Sequence, residues 1–235
     1  MKKNNSRLLL FDIDGTLLST HGIPRKAMAR VLQKRFNNFK YDDKFNYSGR
    51  TDWEIVDHLL DFAEIEYPRH LGALQNIFAD FAHELEIEIN NGLKPYVYPG
   101  VFELVKSLNN DSEFSLGLLT GNIAAGARLK LEAVEMYKYF PIGAFGDDAK
   151  ERNKLADFAI QRADNFFGET FDKTNIWIIG DSIYDIRCAQ VNNLRCLAVS
   201  TGLTSFTKLE KENPEYIVED LSNIKQIIRI LKAEV

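Results

Sequence analysis

Apolar residues in this chain fall into short continuous runs, and each run ends in small or acidic residues. The runs span residues 7–12, 115–122, 141–148, 175–182 and 193–200. Runs of this length are typical of strands buried on both faces, and helical patterns between them favour a parallel sheet. Helices are expected near residues 100–110, 123–137, 152–167, 183–192 and 222–232. The pattern predicts an α/β fold built on a doubly wound parallel sheet.

One long segment interrupts this alternation. Residues 20–95 contain no convincing strand but carry two amphipathic stripes with helical spacing. The stripes consist of Trp53, Val56, Leu59, Leu60 and Ala63, and of Leu71, Leu74, Ile77, Phe78, Phe81 and Leu85. We expect helix–helix packing and a separate all-helical domain at 20–95, inserted into a core formed by 1–19 and 96–235.

Composition narrows the range of partners. The chain has 235 residues, a net charge of -5 and a sequence pI of about 5.5. No overall positive field exists to hold a polyanion, so a nucleic-acid partner is not expected, whereas a small anion remains compatible with a local positive cluster. The first apolar run is broken by Asp12, too early for a signal peptide or a membrane span, so we expect a cytoplasmic protein with no membrane partner. The oligomeric state stays open between monomer and dimer.

Cysteine and histidine offer little chemistry in this sequence. Cys188 and Cys196 are the only cysteines and are predicted to be free, buried thiols rather than a disulfide. The four histidines lack the spacing of zinc ligands.

Two aspartates, Asp12 and Asp14, stand one residue apart at the end of the first apolar run. A calcium loop of the EF-hand type does not fit, because Leu17 and Ile23 occupy the positions that require glycine and glutamate. A turn-capping role explains one carboxylate but not both. Two like charges this close repel unless a cation or a shared proton divides their roles. A magnesium ion held by Asp12, with Asp14 free to carry a proton, meets both conditions.

Three motifs in a fixed order resemble the haloacid dehalogenase-like superfamily of aspartyl-nucleophile phosphatases. They are Asp12-Ile13-Asp14-Gly15-Thr16-Leu17, Leu118-Leu119-Thr120-Gly121-Asn122 and Gly180-Asp181-Ser182-Ile183-Tyr184-Asp185. The inserted helices are similar to that family's helical cap, and Gly49-Arg50-Thr51-Asp52 looks most like the phosphoglycolate-phosphatase-like branch. The resemblance spans nearly the whole chain and implies a Rossmann-like core with the helical cap as an insertion.

The resemblance also implies roles for the acidic residues. Asp12 would attack phosphorus and form an aspartyl-phosphate, and Asp14 would protonate the leaving group and then deprotonate the hydrolytic water. Asp181 would complete a magnesium site with Asp12 and the backbone carbonyl of Asp14. Asp185, one turn on, would orient either the water on the metal or the basic residue, and is included in the predicted metal site. A second acidic pair, Asp147 and Asp148, is interpreted as loop or helix-cap residues.

The second motif and a downstream basic residue would hold the phosphate. The hydroxyl of Thr120 and the amide of Gly121 are predicted phosphate donors, and Asn122 either contacts substrate or caps a helix, a role also open to Thr120. Phosphoryl transfer further needs a fixed cation. Arg152 is preferred for this role because it lies nearer the strand end, with Lys154 as the alternative. The lysine-proline form of many relatives is missing here.

The cap is expected to exclude water and to select the substrate. Arg50 is the candidate residue for binding an anionic group of the substrate. The alternative is a surface contact between Arg50 and Asp52. The resulting hypothesis is a magnesium-dependent phosphomonoesterase for a small phosphorylated metabolite, with 2-phosphoglycolate first by resemblance. A phosphomutase, a haloacid dehalogenase and a non-catalytic phosphate-binding member remain alternatives. The dehalogenase is disfavoured because it needs neither a metal nor a second aspartate.

Overall fold

The computed structural model describes residues 6–234, in which strands and helices alternate. The strands are β1 (Arg7–Phe11), β2 (Leu18–Ser19), β3 (Tyr96–Val97), β4 (Phe114–Leu119), β5 (Ile142–Ala144), β6 (Ile176–Gly180), β7 (Arg195–Val199) and β8 (Tyr216–Val218). The α-helices are α1 (Ile23–Arg35), α2 (Asp52–Phe62), α3 (Leu71–Asn90), α4 (Val101–Asn109), α5 (Ala124–Glu132), α6 (Arg152–Phe167), α7 (Ile183–Asn192), α8 (Phe206–Glu210) and α9 (Ile224–Leu231).

Six strands form one parallel sheet in the order β5-β4-β1-β6-β7-β8. β1 lies at its centre, where Leu10 pairs with Gly117 of β4 on one side and with Ile178 of β6 on the other. The carboxyl ends of β1, β4 and β6 therefore lie side by side, which is where ligands bind in open α/β sheets. The predicted fold class, a Rossmann-like parallel sheet with inserted helices, is confirmed.

Alternate residues of the sheet pack into two separate cores. Leu9 and Phe11 of β1 lie in one core with Trp177, whereas Leu8 and Leu10 lie in the other. Because every residue of β1, β4, β6 and β7 is buried, both faces of the sheet are covered by helices. The continuous apolar runs in the sequence follow from this burial.

A third hydrophobic core joins the helices inserted after β1. It contains most residues of the two predicted stripes, among them Val56, Leu60, Ile77 and Phe81. The sequence analysis did not anticipate α1, whose buried residues Ala27, Met28, Val31 and Leu32 repeat with helical spacing. The proposed boundaries of a separate cap domain at residues 20 and 95 remain a prediction, although the third core agrees with them.

Three short strands were also not anticipated from the sequence. β2 and β3 pair antiparallel, with Leu18 opposite Val97, so the two predicted linkers form a small ribbon. β8 adds a sixth strand at the edge of the parallel sheet. All three strands are only two or three residues long, too short for a periodic pattern to reveal.

Two smaller expectations can be compared with the structure. Cys188 and Cys196 are free and buried, as predicted. Within residues 6–234, none of the helices combines the length and apolarity that crossing a membrane requires.

Candidate active site

The carboxyl ends of three adjacent strands bring together the predicted acidic and hydroxyl residues. Asp12 follows β1, Thr120 follows β4 and Asp181 follows β6, and all three are buried. Asp12, Asp181 and Asp185 each offer a carboxylate oxygen, and these oxygens lie within 4.8 Å of one another. A compact set of carboxylate oxygens is the donor chemistry that hard divalent cations take. The cluster could therefore hold a metal ion.

The backbone turn after Asp14 packs directly on this cluster. Gly15 has φ +90, and a Cβ there would come within 2.4 Å of Asp181 Oδ2. Thr16 Oγ1 donates a hydrogen bond of 3.2 Å to Asp181 Oδ1, which fixes that carboxylate. Only glycine combines the left-handed backbone with this close approach.

The carboxylates of the cluster are electrostatically unfavourable as they stand. Burial raises the pKa of Asp12 to about 6, against the opposing effect of Arg152. Burial, together with Asp12 and Asp185, raises the pKa of Asp181 well above its usual range. A bound cation would offset both effects, because it favours the ionised forms. The donor set therefore fits the divalent metal that the sequence analysis predicts.

The structure separates the two candidates for the basic residue. Arg152 is buried at the start of α6, where Nη2 lies 3.2 Å from Asp12 Oδ1, donates to Leu119 O at 3.2 Å and pairs with Asp185. Lys154 instead has a side chain that is 63% exposed and pairs with Glu151. Of the two, only Arg152 enters the site.

Asp185 is held by donors on both oxygens. Oδ1 pairs with Arg152, and Oδ2 accepts hydrogen bonds from the backbone and side chain of Ser182 at 3.0 and 2.6 Å. Ser182 and Asp185 together form a capping box at the start of α7. This arrangement fixes the Arg152 guanidinium against Asp12, which agrees with the orienting role among those predicted for Asp185.

The carboxylate of Asp14 lies in a network of polar side chains. Its Oδ2 accepts from Asn122 Nδ2 at 2.8 Å and from Lys130 Nζ at 2.6 Å, and its Oδ1 accepts from Thr20 Oγ1 at 3.2 Å. Asn122 thus contacts a predicted catalytic residue and does not cap α5, which has Ile123 at its N-cap position. Lys130 was not predicted as a site residue from the sequence.

Thr120 and Gly121 occupy the turn after β4. Thr120 Oγ1 accepts from Asn122 Nδ2 at 2.8 Å and is not the N-cap of α5, which excludes the helix-cap alternative. Gly121 O accepts from the backbone N–H of Asp52 at 2.7 Å, which brings the inserted helices against the core. A Cβ on Gly121 would lie 1.9 Å from the carbonyl oxygen of Arg50.

A second set of hydrogen bonds joins the start of α2 to the core. Thr51 caps α2 by accepting from Glu54 N at 3.1 Å, and its hydroxyl donates to Lys150 O at 2.6 Å. Asp52 Oδ2 accepts from Ile123 N at 2.8 Å, at the beginning of α5. Asp147 accepts from the next amide, Ala124 N, at 2.9 Å, consistent with its interpretation as a helix-cap residue.

Comparison with known proteins now identifies the family. The sequence pattern described as haloacid dehalogenase-like hydrolase matches residues 9–199. The chain belongs to this family. The resemblance inferred from the three motifs is confirmed at the level of the family, and with it a hydrolase of the phosphatase type.

Individual proteins similar to this chain are found among curated sequences and among solved structures. The curated protein "Pyrophosphatase PpaX" of Oceanobacillus iheyensis is 24% identical over 225 residues, covering 94% of this chain and 96% of its own. A β-phosphoglucomutase structure from Clostridium difficile has a TM-score of 0.74 at 18% identity, with 96% of each chain covered. A predicted phosphoglycolate phosphatase from Haemophilus somnus has a TM-score of 0.69 at 19% identity, covering 96% of this chain and 99% of its own. At these identities the solved structures show the shared fold alone.

A cavity of about 500 Å³ lies between the inserted helices and the strand ends of this family member. Its core side contains Asp12, Asp14, Thr120, Arg152 and Asp181. The cavity has the size of small-molecule sites in proteins. Its opposite side, which we call the cap wall, is formed by Arg25, Met28, Phe45, Tyr47, Arg50 and Ile55.

Both arginines of the cap wall are engaged with neighbouring side chains. Arg50 pairs with Glu54, and its guanidinium carbon lies 4.9 Å from the centre of the Phe45 ring and 5.0 Å from that of Tyr184. The expected surface contact between Arg50 and Asp52 is therefore replaced by the pair with Glu54, and the role of Arg50 toward a substrate anion stays a prediction. Arg25 bonds the Tyr41 hydroxyl and lies 4.3 Å from the centre of the Tyr47 ring.

Proposed function

We propose that this protein is a magnesium-dependent phosphohydrolase that removes phosphate from a small metabolite through an aspartyl-phosphate on Asp12. The observation that carries the proposal is the strand-end cluster of Asp12, Asp181 and Asp185, with Arg152 against Asp12 and the cavity directly above. Asp12 lies between the Arg152 guanidinium and carboxylates that could hold a metal ion. Positive charge on both sides would offset the repulsion between the Asp12 carboxylate and an anionic phosphate, so Asp12 is suited to attack phosphorus.

Asp12, Asp181 and the backbone carbonyl of Asp14 would hold the magnesium ion. When bound, this ion would supply positive charge for the phosphate oxygens and the attacking carboxylate. Asp185 belongs to the same carboxylate set and would also hold Arg152 in place, since its oxygens accept from Arg152 and Ser182. The phosphate would rest on Thr120 and Gly121, with Arg152 as the fixed cation.

Asp12 and Asp14 would then carry out the two steps of the reaction, formation of the aspartyl-phosphate and its hydrolysis. Asp12 attacks phosphorus while Asp14 gives a proton to the departing oxygen, and the leaving alcohol exits through the cavity. In the second step Asp14 accepts a proton from water, the water oxygen bonds phosphorus, and Asp12 is released as a carboxylate with inorganic phosphate. The cap wall limits access of bulk water to the intermediate.

The substrate class follows from the cavity and from resemblance. A volume of about 500 Å³ favours a small phosphorylated metabolite over a polymer. Resemblance to the phosphoglycolate-phosphatase-like branch supports 2-phosphoglycolate as the first candidate. The name of the curated relative adds inorganic pyrophosphate as a second candidate.

A phosphate-release screen tests this proposal. Purified protein would be assayed with phosphoglycolate, pyrophosphate, sugar phosphates and nucleotides, each with and without magnesium. We expect phosphate release that requires magnesium and favours small substrates. No release from any compound would refute a phosphohydrolase, and conversion of a sugar phosphate to its isomer without release would indicate a phosphomutase.

A further inference from the structure

Lys130 is a lysine on the inner face of α5. Its side chain is 2% exposed, and it shares its helix face with Gly126 and Ala127, both buried. A buried ammonium group is costly unless hydrogen bonds and an opposite charge compensate for its lost hydration. The contacts of Lys130 are therefore expected to be specific.

Those contacts meet at Asp14. Lys130 Nζ donates to Asp14 Oδ2 at 2.6 Å and to Asn122 Oδ1 at 2.5 Å. Asn122 in turn donates from Nδ2 to the same Asp14 oxygen at 2.8 Å and to Thr120 Oγ1 at 2.8 Å. The ammonium thus fixes the orientation of the Asn122 amide, because Oδ1 faces the lysine and Nδ2 is left to donate to Asp14.

Asp14 is consequently presented as a hydrogen-bond acceptor. Donors from Lys130 and Asn122 on Oδ2 and from Thr20 on Oδ1 hold the carboxylate in one orientation as an acceptor. In the proposed reaction, this is the form needed when water attacks the aspartyl-phosphate.

We propose that Lys130 is a positioning residue that holds Asp14 as the base for hydrolysis of the aspartyl-phosphate. The inference rests on the proposed function. In this step the water oxygen bonds phosphorus, the bond from phosphorus to Asp12 breaks with its electron pair on the carboxylate, and the water proton passes to Asp14. Lys130 contacts neither water nor phosphorus in this account and acts through Asp14 and Asn122.

Rapid mixing with p-nitrophenyl phosphate separates the two steps. The nitrophenolate leaves without needing a proton, so formation of the aspartyl-phosphate does not depend on Asp14 as an acid. For Lys130→Met we expect a burst of nitrophenolate approaching one per chain, followed by a steady rate at least about tenfold below that of the wild type. A loss of this size is a fraction of the rate enhancement that a general base usually contributes.

Two comparisons make the result decisive. Arg128→Met removes an exposed cation from the same helix and should leave both phases unchanged. Lys130→Gln keeps a hydrogen-bonding side chain next to Asn122 and is measured in the same way, so the test does not depend on the folding of Lys130→Met. A thermal unfolding scan of each variant accompanies the kinetics.

The outcomes distinguish this inference from the proposed function. Equal slowing of the burst and the steady rate would make Lys130 a structural or phosphate-binding residue and overturn the proposal, as would two unchanged phases. A wild-type protein that releases no phosphate from any substrate would instead refute the phosphohydrolase itself.

Discussion

The two sides of the cavity are built in different ways. On the core side, Asp12, Thr120 and Asp181 are buried and follow three neighbouring strands, so the backbone of the sheet fixes their positions. On the cap wall, Arg25 and Arg50 come from a helix and a loop, and their orientation depends on local partners such as Tyr47 and Glu54. The geometry of the core side is thus set by topology, whereas the geometry of the cap wall is set by a few side-chain pairs.

This difference leads to an order of expected effects. Changes at the strand ends should abolish reaction or metal binding, because nothing else in the sheet can take their place. Changes on the cap wall should alter affinity and leave the reaction intact.

The largest effect is expected at Asp12. Asp12→Asn keeps the size of the side chain but removes the nucleophile, so phosphate release should fall by at least about 10³-fold. The rate is measured by phosphate release with magnesium present, and circular dichroism checks the fold. A variant with wild-type activity would show that Asp12 does not attack phosphorus.

The next effect separates the two basic candidates. Arg152→Met leaves the buried carboxylates of Asp12 and Asp185 without their cation, and should lower the free energy of unfolding by about 3 kcal/mol. Lys154→Met removes an exposed cation paired with Glu151 and should change it by less than about 1 kcal/mol. Urea unfolding without magnesium measures both. Equal losses would contradict the assignment of Arg152.

Magnesium binding gives a test that does not depend on turnover. A cation bound only by the folded protein raises its stability, by about 2.7 kcal/mol at a concentration 100 times the dissociation constant. Wild-type protein should therefore unfold at a higher temperature with magnesium than with a chelator. Asp181→Asn should lose most of this difference, and an undiminished difference in this variant would place the metal elsewhere.

Asp52, at the seam between α2 and α5, should make stability depend on pH. Burial raises its pKa to about 7 from an unfolded value of 3.8. The contribution of the Asp52 carboxyl group to the free energy of unfolding is therefore fully present below pH 3.8 and is lost as the pH rises through about 7. Asp52→Asn does not titrate, so it should gain stability relative to wild type over this range, on the order of 1 kcal/mol. Urea unfolding at several pH values measures this gain. A gain of the same size at every pH would contradict the raised pKa of Asp52.

The smallest effect is expected on the cap wall. Arg50→Gln should raise KM roughly threefold for a substrate with a second negative charge and leave kcat nearly unchanged, because only uniform binding is lost. Glu54→Gln removes the carboxylate partner of Arg50 and should lower KM for the same substrate. Steady-state kinetics with a substrate of lower charge provides the control. A fall in kcat alone for Arg50→Gln would place this residue in the chemical step.

The contrast between the two sides also explains what the sequence could predict. The runs that end at Asp12, Thr120 and Asp181 reveal buried parallel strands, and parallel strands share an edge, so their grouping follows from periodicity and order. The pairing of Arg50 with Glu54 does not follow, because several partners lie within reach of a long side chain. Its outcome depends on the Phe45 and Tyr184 rings, and Tyr184 comes from a distant part of the chain.

The buried position of Lys130 was not predicted from the sequence. The pattern Leu129-Lys130-Leu131 resembles a common solvated helix, in which a lysine faces water. A signal was nevertheless present, since Lys130 lies four residues after Gly126 and seven after Ile123, on the helix face that is buried. A charged residue on an otherwise apolar face indicates a specific partner, here Asp14.

The central claim is that Asp12 itself becomes phosphorylated. Acid quenching of the enzyme during turnover of a ³²P-labelled substrate, followed by peptide mapping, tests it directly. We predict one labelled site, on the peptide that contains Asp12, which disappears in Asp12→Asn. Label on a different residue, or turnover with no labelled protein even when the steady state is sampled in Lys130→Met, would contradict the account.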